Sequence, residues 1–377
     1  MPAYLDHAAT TPLRPEALEA MLPFLAEHFG NPSGAHAISR LARRAVDDAR
    51  DVVAAGLGCA PGEVLFTGGG TEADNLALTG VVSTRPGRVL CSAVEHHAVL
   101  HTTTALRGTT VAVHADGVID LAALEEALDE GQDVSVVSVM LANNEVGTVQ
   151  PLGEVVALVR ARAPGAVVHT DAVQAFAWLD VATLGAGADL VAVSAHKFGG
   201  PKGVGALAVR RGVEMSPILH GGGQERGRRS GTHNVAAIAG MAAAMAATVA
   251  QRAAEVARVA VLRDRLADGL LTAVPGAVET GPRAGRVAGN CHLRFPGVES
   301  EALLILLDDA GVCAAAGSAC ASGALEPSHV LVAMGIPSAD ALGSLRLSLG
   351  TTTTDADVDL ALKVVPDAVA RLLDWRD

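Results

Sequence analysis

Short apolar runs rich in β-branched residues recur along the chain with helix-length stretches between them: Val64-Leu65-Phe66, Arg88-Val89-Leu90-Cys91, Val134 to Leu141, Ala166 to His169, Asp189 to Val193 and Ala206 to Val209. Strands separated by helices pair in parallel, because the chain must cross the sheet face before it can return in the same direction. The alternation therefore predicts an α/β fold whose mostly parallel sheet is covered on both faces. Half of the residues are hydrophobic but only 2% are aromatic, so the core is aliphatic and suits close packing of helices on a sheet. At 377 residues the chain exceeds one ordinary domain of about 150 residues. Its character changes after Gly231, where an Ala-rich helical stretch from Asn234 to about Val274 leads into a second, smaller α/β unit. That unit would hold His292 to Phe295 as a strand, Glu301 to Ala310 as a helix and Ser344 to Leu349 as a strand. The division expected is a large unit over 13–260 and a small one built from 1–12 and 261–377.

Two of the apolar runs end in residues with chemical meaning. Val167-Val168 leads into His169-Thr170-Asp171, and Asp189 to Val193 leads into Ser194-Ala195-His196-Lys197. A lysine just past one buried strand and an aspartate just past another read as a pyridoxal phosphate site, with Lys197 forming the Schiff base and Asp171 facing the pyridine nitrogen. Lys202, beyond the Gly199-Gly200-Pro201 turn, competes with Lys197; direct succession to the strand favours Lys197. The turn Gly68-Gly69-Gly70-Thr71, after one strand and before a helix, can seat a phosphate on the helix N-terminus, or it is simply a tight turn. Ser194 and His196 flank the lysine and could donate to that phosphate.

Other residues are open to two readings. His96, just past the strand ending at Cys91, could stack on a pyridine ring or merely begin a helix. The thirteen histidines contain no H-E-x-x-H spacing, and no metal is expected. Cys320, in Gly317-Ser318-Ala319-Cys320-Ala321-Ser322-Gly323, lacks the bulky neighbours of a buried thiol and so reads as a nucleophile. Cys59 and Cys91 read as core residues and Cys313 as a structural strand residue. Arg346 places one guanidinium in the alternating run Leu345 to Leu349, where it either pairs with a structural carboxylate or grips a ligand's carboxylate. A net charge of −13 disfavours direct nucleic-acid binding, although Arg226, Arg228 and Arg229 could form a local patch. The first residues lack a signal pattern, and the uncharged run Val235 to Ala250 falls short of the roughly 20 residues of a membrane span. A soluble cytoplasmic protein is expected.

These residues resemble the cysteine desulfurases of the NifS/IscS type, within the class V aminotransferase-like enzymes. The resemblance runs through Tyr4-Leu5-Asp6, Gly30-Asn31-Pro32-Ser33, Thr71-Glu72-Ala73-Asp74-Asn75, Glu95-His96 and Asn143-Asn144-Glu145-Val146-Gly147. It continues through His169-Thr170-Asp171, Ser194 to Lys197, Gly221 to Arg226, Arg229-Ser230-Gly231-Thr232, Gly317 to Cys320 and Leu345 to Ser348. It implies the fold-type-I architecture of aspartate aminotransferase and pyridoxal 5'-phosphate on Lys197. It also implies His96 on the ring, Asp171 at its nitrogen and Gln174 and Asn143 near its oxygen, with Gly70, Thr71, Ser194 and His196 on the phosphate. Thr232 would reach the partner's phosphate in a homodimer, and Arg346, with Asn144 or Asn31, would hold the substrate carboxylate. The implied reaction takes sulfur from L-cysteine onto Cys320, leaving L-alanine, and passes it to an acceptor protein. His7 and Ala321 depart from the common pattern near the substrate mouth, which touches acceptor preference rather than the reaction. The rivals are a lyase releasing free sulfide or selenide and a noncatalytic sulfur or metal scaffold.

Overall fold

The computed structural model describes residues 2–130, 133–316 and 327–374. Among them the strands in chain order are β1 (Ala3–Tyr4), β2 (Val64–Thr67), β3 (Arg88–Ser92), β4 (Thr109–Val111), β5 (Val134–Ser138) and β6 (Val167–Asp171). Next come β7 (Leu190–Ser194), β8 (Gly205–Val209), β9 (Val278–Glu279), β10 (Asn290–Arg294), β11 (Val312–Cys313) and β12 (Ser344–Ser348). The large sheet has the order β2-β8-β7-β6-β5-β3-β4. Its pairings from β4 to β7 are parallel, and β8 runs antiparallel to both of its neighbours. Every residue of β2, β5, β7 and β8 is buried, the signature of strands covered on both faces. On one face the sheet packs against Ala42, Val46, Val53 and Leu57 of the helix Ala37–Leu57 and against the start of the helix Val235–Ala273. The other face is covered by Leu76, Leu78 and Val81 of the helix Gly70–Thr84. The chain is an α/β protein with a mostly parallel sheet covered on both faces.

A second sheet, β12-β10-β9, is antiparallel. Its core joins Cys291, Leu293, Leu345 and Leu347 to the helices Ser300–Asp309 and Asp355–Asp374. One helix serves both cores. Val235 to Met245 pack into the large one, and Val259 to Leu270 into the small one, so residue 260 falls inside a continuous helix of 39 residues. At Gly240 an added Cβ would stand 2.6 Å from Met21 Cγ, so the small residue lets the helix Pro15–Ala26 cross closely.

The expectation that this helix is too short to span a membrane needs correction. By length and composition it qualifies, with an 18-residue window of mean hydropathy 1.3. Charged residues begin only at Arg252, and the helix continues through them. Yet 56% of that window is buried within the protein, which makes it a core helix of a soluble chain. The N-terminal segment returns to the rest of the fold: β1 pairs in parallel with β11, and Asp6 bridges to Ser348.

Candidate active site

Parallel neighbours β6 and β7 end at Asp171 and Ser194, and a single 3-10 turn, Ala195–Lys197, follows the second. Asp171 and Lys197 therefore emerge on the same sheet edge, outside the strands' carboxyl ends, where open α/β sheets bind ligands. Both line a cleft of about 1210 Å³, its open mouth included, and Gly70, Thr71, His96, Asn144, Gln174, Ser194, His196 and Arg346 line it with them. Lys202 is not among these residues; it sits on the exposed side, beside Gly68 to Gly70.

Lys197 Nζ donates to the carbonyls of Ala8 (2.5 Å) and Ala9 (2.8 Å) on the returning N-terminal segment. Burial, and secondarily the positive charge of Arg346, pull its pKa down to about 8, which brings a neutral amine within reach at ordinary pH. Asp171 accepts the Val173 N–H at Oδ1 (2.8 Å). Burial pushes its carboxyl up to about 7, with the charge of Asp74 adding to the rise. His96 caps the helix His97–Ala105, its Nδ1 accepting the Ala98 N–H (3.1 Å). Burial and then the charge of Lys197 lower its pKa to about 4, so the imidazole is neutral and carries its proton on Nε2. Arg346 projects from β12, donating through Nη2 to Asp6 Oδ1 (2.8 Å) and through Nη1 to the Asn144 carbonyl (3.2 Å).

The glycine turn has the geometry a phosphate needs. Gly69 adopts φ 150°, a conformation closed to ordinary side chains, and the fifteen-residue helix Gly70–Thr84 starts beside it. Thr71, Ser194 and His196 line the space in front of that helix start. Its free N–H groups and positive dipole end suit an anion. Around Asp171, two more buried carboxyls, Asp74 and Glu95, each leave an oxygen without a hydrogen-bond partner. Three buried acidic groups beside a phosphate seat and a buried lysine fit a group that carries a phosphate at one end and a protonated ring nitrogen at the other. Pyridoxal phosphate is such a group.

Some expected residues stand elsewhere. Asn143 does not line this cleft: its Oδ1 accepts the N–H groups of Glu145 (2.8 Å) and Val146 (2.9 Å), and its Nδ2 donates to the Val94 carbonyl (2.9 Å). With both ends of its amide committed to main chain, it shapes the turn that presents Asn144. Gln174, by contrast, does line the cleft, and its Nε2 donates to the Ala8 carbonyl (2.8 Å). Asn31 accepts the Ser33 N–H within an exposed loop, and Thr232 is exposed away from the cleft. Cys320 lies outside the described residues.

Asp6, Asp74, Glu95, Glu145 and His329 were assigned no role from sequence. Glu145, its pKa raised by burial to about 7, binds the Ser328 hydroxyl at 2.5 Å, and His329 bonds the Glu95 carbonyl at 2.9 Å. His97 and His101, one helical turn apart, stack with ring centroids at 4.9 Å. Among the described residues no three ligating side chains converge on a metal position.

The family model for class-V aminotransferases matches residues 3–361. The chain belongs to that family. Within the class-V aminotransferases its likeness is to cysteine desulfurases of the IscS/NifS type. It is 47% identical to an IscS-like cysteine desulfurase of Mycobacterium tuberculosis over 98% of this chain and 96% of that one. It is 43% identical to the cysteine desulfurase IscS of Methanosarcina thermophila, over 98% and 92%. A solved structure of a NifS-like protein superposes with a TM-score of 0.91 at 36% identity, covering 98% of this chain and all of the other.

Proposed function

We propose that this class-V aminotransferase-fold enzyme is a pyridoxal-phosphate-dependent cysteine desulfurase, which converts L-cysteine to L-alanine and places the sulfur on Cys320. One observation carries the reading: Lys197 from the turn after β7, Asp171 from the end of β6 and Arg346 from the middle of β12 face one cleft in a chain whose curated relatives bear that name. Bound pyridoxal phosphate would supply an electron sink for the pair left on the substrate's α-carbon when its proton departs. Lys197 would anchor the cofactor at rest and, freed by substrate, hold the α-proton on Nζ. Its lowered pKa serves that use. Asp171 would keep the ring nitrogen protonated, neutral His96 would lie against the ring face, and Gln174, which lines the cleft, would hydrogen-bond near the ring oxygen. Gly70, Thr71, Ser194 and His196 would hold the phosphate, with Thr232 contributed by a second copy in a homodimer. Arg346, backed by Asn144, would grip the substrate carboxylate.

The Cys320 thiolate then bonds the substrate sulfur as the carbon–sulfur bond breaks. The enzyme thiol becomes a persulfide and the carbon fragment regains protons as alanine. A cytoplasmic acceptor protein, for iron–sulfur cluster assembly or transfer-RNA thiolation, would collect the sulfur. The test is alanine and sulfide formation from L-cysteine with a thiol reductant, comparing the cofactor-loaded wild type with Cys320→Ala. Alanine formed by the wild type and reduced at least about a hundredfold in the variant supports desulfuration through Cys320. Equal turnover overturns it and indicates a lyase.

A further inference from the structure

His292 stands at the middle of β10, fully buried, and its cross-strand partner on β12 is Arg346. The main-chain N–H and carbonyl of Arg346 both bond Ala315 on the far side, and the His292 carbonyl accepts from Thr280. The two residues thus form a non-hydrogen-bonded antiparallel pair, the kind in which facing side chains approach most closely and leave the sheet on the same face.

Both ring nitrogens of His292 are buried without a hydrogen-bond partner, and so is Arg346 Nε. Burial, followed by the charges of Arg346 and Arg294, lowers the imidazole's pKa to about 3. The ring is neutral and offers one donor and one acceptor. An unpaired polar group in a protein interior costs stability that an apolar residue of similar size would not. The nitrogen lone pair and the Nε–H are complementary, and they sit on paired residues of adjacent strands.

We propose that His292 is a positioning residue for Arg346: when the guanidinium leaves Asp6 for the substrate carboxylate, its Nε–H is received by the His292 acceptor nitrogen, directly or through one trapped water. Nη1 and Nη2 are then left for two-pronged contact with the carboxylate, and the guanidinium plane is fixed by the imidazole. The proposal rests on the reading of Arg346 as the carboxylate site.

The experiment uses the cofactor-loaded enzyme with His292→Leu, His292→Phe, His292→Asn and Arg346→Lys, each checked by thermal melting. For the apolar variants the expected result is a KM for L-cysteine raised about tenfold with kcat within about twofold, the loss of one charge-assisted hydrogen bond. Calorimetric titration with L-alanine should weaken by the same factor, whereas cysteamine, which lacks the carboxylate, should bind as to wild type. His292→Asn, which restores an acceptor, should recover most of the loss. Unchanged L-alanine binding in a folded apolar variant overturns the proposal, as does equal weakening of L-alanine and cysteamine. If both apolar variants fail to fold, His292→Asn decides: near-wild-type L-alanine binding supports the proposal and a loss as large as that of Arg346→Lys overturns it. Unchanged L-alanine binding in Arg346→Lys would instead place the failure in the carboxylate reading.

Discussion

Glu225 is a carboxylate buried in a loop that carries no catalytic group, and its neighbours explain why it is tolerated. Arg50 donates to it twice, at 2.6 and 2.8 Å, His233 meets it at 2.6 Å and the Phe66 N–H at 3.1 Å. It adopts a left-handed backbone at φ 48°, and Arg226 follows at φ 59°, strain that these bonds hold in place. Burial pushes the carboxyl pKa up, but the bonds from Arg50 and His233 outweigh it and bring the value from 4.5 down to about 2. The folded pKa lies below the unfolded one, so the stabilisation is complete above about pH 5 and fades as the pH falls from 4.5 towards 2. Glu225→Gln should lose about 3 kcal/mol at pH 7, and the gap from wild type should narrow at pH 3; urea denaturation at the two pH values measures both. Individual residues were unevenly legible. Lys197 and Asp171 were readable because each ends an apolar run, and the run's face places them. Asp74 and Glu95 were not, because their meaning lies in convergence with Asp171 from other elements, Asp74 from the helix Gly70–Thr84 and Glu95 from the turn after β3. Which of Asn143 and Asn144 faces the cleft depends on a turn whose geometry the letters do not display.

Gly205 shows how one element sets another. It begins β8, and an added Cβ there would stand 2.6 Å from the Val193 carbonyl and 2.8 Å from the Gly69 carbonyl carbon. The antiparallel strand is therefore pressed against the glycine turn. Gly205→Ala should push that turn away from Ser194 and weaken pyridoxal phosphate binding by about tenfold, with a lower melting temperature. Equilibrium dialysis of the apoenzyme against the cofactor measures the first effect, and an unchanged affinity would separate the turn from the phosphate seat. The strands themselves were legible from apolar runs. The reversed direction of β8 follows from chain length, since the stretch from Ser194 to Gly205 is too short for the crossover that a parallel strand requires. The full length of the helix Val235–Ala273 was obscured by the charges from Arg252 onward; Arg258, Arg265 and Asp268 are exposed, whereas buried Arg263 is tolerated because it donates to the Val287 and Ala288 carbonyls.

The site is completed by parts drawn from the whole molecule. The N-terminal segment bonds Lys197 through Ala8 and Ala9, pairs Asp6 with Arg346, and exchanges hydrogen bonds between Thr11 and the His196–Gly199 turn. Removing residues 2–11 should abolish alanine formation and lower the calorimetric melting temperature, because two sheets lose their common strap along with β1; near-normal activity would refute that role. Asp6 and Arg346 are 340 positions apart. A ribosome adding about 5–20 residues per second spends on the order of tens of seconds between them. In the later part of that interval, once β8 has been made through Val209, the large sheet can fold and present its lysine, aspartate and glycine turn, but the arginine has not yet been made. Under the proposed function, a nascent or prematurely terminated chain would have the seat for a reactive aldehyde and no grip for an amino acid's carboxylate, so the capacity to act on substrate would arrive only with the nearly finished polypeptide.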